Sequence, residues 1–288
     1  MDNQLKKMEF ADIKENKHLF LTNYNIREDF EASGCDWDCL MAIGEDFESR
    51  RSGYFEAVQK YITDIAKFPQ IHSYRYRVKE TGSLIKKIIT KTCTKQETIN
   101  VDNYRVKITD LVGIRVLYVF KSDYYPIHEK IWEKYEHQKA ENIHIKLREG
   151  DDKSIYKEVL KNDPMIELNS TYRSIHYTLY INEKDLYDAR LEIQTRSIFE
   201  EGWSEINHKL VYKNKGVADY LILNEASRIL SALVGDCDSL GELMKNIHSE
   251  YLQKLSDKEK SHVDDEIPRR DNSDDDILSE VLQRFIKS

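Results

Sequence analysis

The spacing of hydrophobic positions divides this chain into stretches of different period. Over residues 1–70 the apolar residues recur at helical spacing, through Leu40–Ile43 and Phe55–Ile65, and the pattern stops at Pro69. From about residue 71 to 196 the texture becomes a mixture of alternating runs and helical runs. Tyr74–Val78 reads as a strand, Leu84–Ile89 as the opening of a helix, and Ile114–Phe120, rich in β-branched and aromatic residues, as a second strand. A helix and a charged connection fit Asp123 to about Gly150, and two further strands fit 174–181 and 190–196. Ser197-Ile-Phe-Glu200 has the form of a capping box, so a helix is expected directly after the last strand. Leu221–Leu243 reads as another apolar-faced helix. Strands interspersed with helices imply an α/β (α+β) fold with a mixed sheet flanked by helices.

The expected organisation is a helical extension over 1–70, a mixed domain over 71–216, a packing helix over 217–252 and an acidic tail over 253–288. The tail is poor in hydrophobes and is expected to be disordered until its last residues. There Ile277, Leu278, Val281, Leu282, Phe285 and Ile286 fall on one helical stripe, suited to docking on its own domain or on a partner.

What the strands show to solvent is more informative than what they bury. In Arg190–Arg196, Leu191, Ile193 and Thr195 point one way while Glu192, Gln194 and Arg196 point the other. In Tyr172–Thr178, Ser174, His176 and Thr178 alternate with Ile175 and Tyr177, and Tyr172 stands just outside the strand. Asp110 precedes a strand in which Gly113 permits close backbone approach and Arg115 lies near the start. Arg75, Arg77 and Lys79 share a strand face, and Ser83, Lys87 and Lys91 recur every four residues on one face of the helix that follows. Any of these sets alone could be a solvated face. Together they place carboxylates, an amide, an imidazole and converging cations on sister strands, a chemistry suited to a metal, a base and a polyphosphate.

Composition narrows the options. The 288 residues carry a formal charge of −8, so a protein coated in nucleic acid is not expected. The basic stretches Arg75–Lys95 and His208–Lys215 suit a polyphosphate or one end of an RNA. The four cysteines, at 35, 39, 93 and 237, lack the paired spacing of a zinc site, and free thiols in a cytoplasmic protein are the expectation. No apolar run approaches a membrane span, and no Walker-type phosphate loop occurs.

The ordered motifs R-V-K with S and K downstream (Arg77, Lys79, Ser83, Lys87), D-x-x-G-x-R (Asp110, Gly113, Arg115), Y-x-S-x-H (Tyr172, Ser174, His176) and E-I-Q-x-R (Glu192, Gln194, Arg196) are followed by Trp203, His208, Tyr212 and Lys213. Over roughly 71–215 this set resembles the synthetase domain of RelA/SpoT-type alarmone synthetases. The resemblance implies a nucleotidyltransferase-like sheet and transfer of the β,γ-diphosphate of ATP to a ribose 3′-hydroxyl. Arg77, Lys79, Ser83, Lys87, Arg115 and, in place of a family arginine at Thr90, Lys91 would hold ATP. Asp110 and Glu192 would hold Mg²⁺, with Glu192 placed to take the hydroxyl proton. Tyr172 would stack on the acceptor base, with His176, Gln194, Arg196 and Glu201 around it.

No His-Asp dipeptide of the family's hydrolase half occurs, so product removal is not expected. Glu201 stands where housekeeping small synthetases tend to carry a guanine-contacting Asn. With the FEEGWSEINHK wording and the helical extension, this looks closer to the toxic small synthetases. The subgroup implies the 3′ CCA end of tRNA as acceptor and an antitoxin as partner. GDP or GTP is the alternative acceptor, and an inactive nucleotide- or RNA-binding module a third reading.

Overall fold

The computed structural model describes residues 8–148, 151, 153–156, 159, 161, 164–168, 172–211 and 220–261. Its contacts divide the chain into two compact units, residues 1–117 with 125–196 and residues 118–124 with 197–288.

The first unit opens with five helices, α1 (Phe10–Glu15), α2 (Lys17–Asn23), α3 (Arg27–Ser33), α4 (Trp37–Ser49) and α5 (Arg51–Ile65). Asp36 caps α4 by accepting from the Cys39 amide at 3.0 Å, supplying an acceptor for a first-turn N–H that has no partner within the helix. The apolar faces of α4 and α5 are buried through Leu40, Ile43, Phe47, Tyr54, Val58, Ile62 and Ile65. Strand β1 (Ser73–Val78) follows, then α6 (Thr81–Lys95), the single turn α7 (Tyr104–Lys107), β2 (Val112–Tyr118), α8 (Tyr124–Tyr135), β3 (His144–Lys146), β4 (Met165–Glu167), β5 (Ser174–Tyr180) and β6 (Arg190–Ser197).

The six strands form one mixed sheet in the order β1-β2-β6-β5-β3-β4. β1 pairs antiparallel with β2, β5 antiparallel with β6 and β3, and β3 parallel with β4. The three strands with polar functional faces are thereby central neighbours, β2, β6 and β5. Their opposite faces bury Ile114, Val116, Ile175, Tyr177, Leu191 and Ile193. The helical extension is tied to this core by charge as well as packing. Asp46 of α4 accepts from the Tyr104 hydroxyl at 2.7 Å and from Arg105 at 3.0 Å, and Arg105 also donates to Asp188 at 2.8 Å. Burial works to raise the Asp46 pKa, but its bonds to Arg50 and Tyr104 hold it below the usual carboxylate range.

The second unit contains α9 (Ile198–Leu210) and α10 (Tyr220–Ser261). Ser197 is the N-cap of α9, accepting from the Glu200 amide at 3.1 Å, as its place in the sequence predicts. Three expectations change. α6 begins at Thr81, three residues before Leu84, with Leu84, Ile85, Ile88 and Ile89 buried. Within the expected charged connection the backbone forms β3, and β4 is a further strand with no prior expectation. The C-terminal helix continues unbroken through Ser261, so residues 253–261 are helical and not part of a tail. The apolar stripe at 277–286 lies outside the described residues.

Candidate active site

The Lys79 backbone N–H donates to the Leu111 carbonyl at 2.9 Å, extending the β1–β2 pairing past the end of β1. That bond brings Lys79 beside Asp110, which stands two residues before β2. The Lys79 ammonium lies 2.7 Å from Asp110 Oδ2, and Lys87, one turn after Ser83 on α6, reaches Asp110 Oδ1 at 2.7 Å. Arg77 adds a guanidinium 3.9 Å from Oδ2. One half-buried carboxylate is thus the meeting point of three cations from a strand and a helix.

Burial alone would raise the Asp110 pKa, but Lys79 and Lys87 hold it at about 2, so the group is ionised at any physiological pH. Lys79 is only 7% exposed, and burial depresses its ammonium pKa against the opposing pull of Asp110. Further along the same ladder Arg75 and Arg115 are cross-strand partners. Like charges directly opposite one another favour an anion beside them.

A second cluster occupies the neighbouring strands. The register sets His176 opposite Gln194 and Thr178 opposite Glu192, so His176 and Glu192 are diagonal neighbours on one face. His176 Nδ1 lies 3.1 Å from Glu192 Oε1, and Gln194 Nε2 donates to Glu192 Oε2 at 2.6 Å. Arg196 in turn donates to Gln194 Oε1 at 2.6 Å. Burial pushes the Glu192 carboxyl up, but His176 and the Gln194 bond together outweigh it and the net direction is downward. Burial lowers the His176 pKa, outweighing Glu192, and favours the neutral ring. With Glu192 ionised, Nδ1 carries the proton and donates, which leaves Nε2 as an acceptor. Nε2 is buried and has no hydrogen-bond partner among the described residues, an uncommon state for a buried polar atom.

Tyr172 sits at the rim of this cluster, half-buried, with the Arg196 guanidinium 5.2 Å from its ring centroid and the Lys146 ammonium 5.4 Å from it. Two cations therefore hold one aromatic ring in place. Lys146 was not singled out by its sequence context. It sits on the three-residue strand β3, opposite Ser174, and its positive charge also depresses the His176 pKa. The alternation His144-Ile145-Lys146 is its only local signal.

Lys91 and Thr90 have other partners. Lys91 shares its helix face with Lys87, but its ammonium donates to the Lys107 carbonyl at 2.7 Å and pairs with Glu97 at 3.6 Å. Thr90 lies 3.3 Å from Asp29. Glu201 is buried on α9. Trp203 is a packing anchor, its indole donating to the Ser227 carbonyl at 2.8 Å, and His208 is exposed. Tyr212 and Lys213 lie outside the described residues.

The Asp110 charge also acts on Glu192, raising its pKa, so the two carboxylates are near enough to feel each other. No cluster of three or more His, Cys, Asp or Glu side chains able to hold a metal occurs among the described residues. Two hard oxygen donors that repel one another nevertheless fit Mg²⁺. That ion is commonly held by one or two carboxylates, with substrate phosphates and water completing the shell.

Known proteins resemble this chain in sequence and in fold. Residues 76–217 match the model of the region found in RelA/SpoT proteins. The GTP pyrophosphokinase YwaC of Bacillus subtilis is 26% identical over 208 residues, covering 67% of this chain and 89% of YwaC. The fold resembles small alarmone synthetase 1 of Bacillus subtilis, with a TM-score of 0.51 at 18% identity over 72% of this chain and 99% of that one. The same synthetase bound to AMPCPP gives 0.50 at 16% identity over 72% and 99% of the two chains. Bound to its product pppGpp it gives 0.50 at 17% identity over 72% and 98%.

Proposed function

We propose that this chain, which over residues 76–217 matches the region found in RelA/SpoT proteins, moves the β,γ-diphosphate of ATP onto the ribose 3′-hydroxyl of GDP or GTP. AMP is the leaving group. The observation that carries the reading is the convergence of Arg77, Lys79 and Lys87 on Asp110, beside a second carboxylate, Glu192. Phosphoryl transfer requires little covalent chemistry of the protein beyond positioning and neutralisation of charge. Incoming phosphates compete with Asp110 for the two lysines, and as the lysines turn to the nucleotide the carboxylate gains free oxygens. Asp110 and Glu192 would then hold Mg²⁺, which supplies charge neutralisation at the phosphates when bound. Ser83 and Arg115 flank the cradle from α6 and β2.

Glu192 is anionic with each oxygen already accepting one hydrogen bond, and the carboxylate retains lone pairs for the 3′-hydroxyl. His176 Nε2 offers a neighbouring acceptor that orients the ribose. Tyr172 stacks the acceptor base between its two cations. Replacing Tyr172 by Ala should lower transfer at subsaturating acceptor by ~5–150-fold, the scale of one base-stacking contact, mainly through KM. Calorimetric titration with a non-hydrolysable ATP analogue should change little. Equal loss of ATP binding would remove Tyr172 from the acceptor site.

Support for a guanine nucleotide is the likeness to a protein named a GTP pyrophosphokinase. A second acceptor, the 3′-terminal adenosine of tRNA, with control by an antitoxin, is favoured by Glu201 in place of the Asn of housekeeping relatives. Incubation with γ-labelled ATP and either GDP or deacylated tRNA separates the two. Label on the guanine nucleotide is expected. Label on tRNA alone moves the acceptor to the CCA end, and no label on either, with folded protein, defeats the transferase reading.

A further inference from the structure

We propose that Arg51, on the helical extension and outside the site, is a positioning residue that sets where Lys79 presents its ammonium to the phosphates of ATP. The inference rests on the reading of Lys79 as part of a phosphate cradle and deepens it. Arg51 is the first residue of α5, and its guanidinium donates to the Lys79 carbonyl at 3.2 Å. The Lys79 N–H is already committed to the Leu111 carbonyl at 2.9 Å. The main chain of one buried lysine is therefore pinned from two sides, through its N–H beside β2 and through its C=O beside α5.

The pin falls at a weak point. Lys79 lies between the end of β1 and the start of α6, and Glu80, the N-cap of α6, makes no side-chain capping bond. A turn without its own cap gains from a fastening outside it. Arg51 pairs with Glu80 at 3.5 Å and with Glu48 at 3.4 Å, and Glu48 accepts from the hydroxyl of Thr81, the first residue of α6. The same guanidinium lies 5.9 Å from the ring centroid of Phe47 and 5.8 Å from that of Phe55. Two rings and two carboxylates thus orient one planar fork towards a single carbonyl. Earlier residues of the extension hold the rest of α6, the helix that carries Ser83 and Lys87. Lys86 donates to the Tyr24 carbonyl at 3.0 Å and Thr90 to Asp29 at 3.3 Å, and Gly82 admits the Tyr24 hydroxyl where any Cβ would collide with it.

Stability of the fold gives little reason for a cation at this position. A positive charge in the first turn of a helix opposes the helix dipole, and that turn of α5 holds no acidic residue to offset it. The two ion pairs of Arg51 are long and part-exposed, an arrangement that contributes little. The bond to the Lys79 carbonyl is the contact that gives the residue a purpose. Asp110 holds the Lys79 ammonium at 2.7 Å, so Lys79 reaches the nucleotide by rotating about its own side-chain bonds. The main chain at the root of that side chain fixes the arc it sweeps, and small displacements at a reacting centre are costly.

Calorimetric titration of the full chain with a non-hydrolysable ATP analogue, beside initial rates, tests the assignment. Arg51→Gln should weaken analogue binding and raise the KM for ATP by ~10-fold, the scale of one hydrogen bond, while the KM for the acceptor stays at the wild-type level. In a Lys79→Met background the same substitution should change kcat/KM for ATP by less than ~2-fold, because the group through which Arg51 acts is gone. Glu48→Gln keeps an acceptor for Thr81 and loosens Arg51, and should give the same defect in ATP alone at ~3-fold, a readout that does not depend on folding of the Arg51 variant. Unchanged analogue affinity in Arg51→Gln, an equal loss in the Lys79→Met background, or a parallel rise in the KM of both substrates in either variant would each overturn the proposal. Absence of analogue binding by the wild type is a separate failure, since it removes the phosphate cradle itself.

Discussion

Glu192→Gln should lower diphosphate transfer by at least ~10³-fold while leaving the chain folded and its ATP affinity within a few-fold of wild type. The substitution keeps volume and removes one negative charge from the centre of the site. It also breaks the logic of the hydrogen bonds. Glu192 accepts from His176 at Oε1 and from Gln194 at Oε2, so an amide in its place must present a donor to one of them. If the donor faces His176, the ring must take the other tautomer and Nε2 turns from acceptor to donor. If it faces Gln194, two NH₂ groups meet and Gln194 turns over, which disturbs its bond to Arg196. Either outcome misorients the acceptor in addition to removing a ligand for Mg²⁺. Initial rates measured beside analogue titrations decide the matter. A loss smaller than about tenfold would take Glu192 out of the reaction centre.

That cluster was legible in the sequence because β5 and β6 are long enough to show alternation. Seven and eight residues give each face several positions, and the polar ones are of unusual type. β3 and β4 have three residues each, too few for a period to register, and Lys146 was overlooked with them. Lys91 shows the converse failure. Four-residue spacing correctly placed it on the face of Ser83 and Lys87, yet a face says nothing of distance along the helix axis, and a turn beyond Lys87 its partners are Lys107 and Glu97. The C-terminal helix runs nine residues past the expected end at 252, because the charged stretch that follows Leu252 suits an exposed helix as well as a tail. Gly113 has a physical account as well: a Cβ there would sit 3.8 Å from Arg77, ordinary contact, so the glycine is not imposed by space beside β1.

The Asp110 cluster allows structural and catalytic roles to be separated. Asp110→Asn should lower transfer by at least ~10³-fold and also destabilise the fold by on the order of 2–4 kcal/mol, because Lys79 keeps its burial and loses its counterion. The pH dependence has a definite sign. The folded Asp110 pKa of about 2 lies below the ordinary carboxylate value of 3.8, so the carboxylate stabilises the fold fully above pH ~4 and loses that contribution as the pH falls towards 2. The wild type should therefore lose on the order of 2 kcal/mol more stability than Asp110→Asn across that window. Adding Lys79→Met to Asp110→Asn replaces the stranded ammonium with an apolar chain of similar length. Chemical denaturation of the double variant should recover most of the lost stability, a strongly non-additive result for groups 2.7 Å apart. Activity should stay at the level of the single variant, since neither the phosphate-binding cation nor the carboxylate returns. A double variant no more stable than Asp110→Asn would mean that the pair is not what holds this part of the fold. Recovery of transfer would mean that Asp110 serves only to neutralise Lys79 and binds no metal.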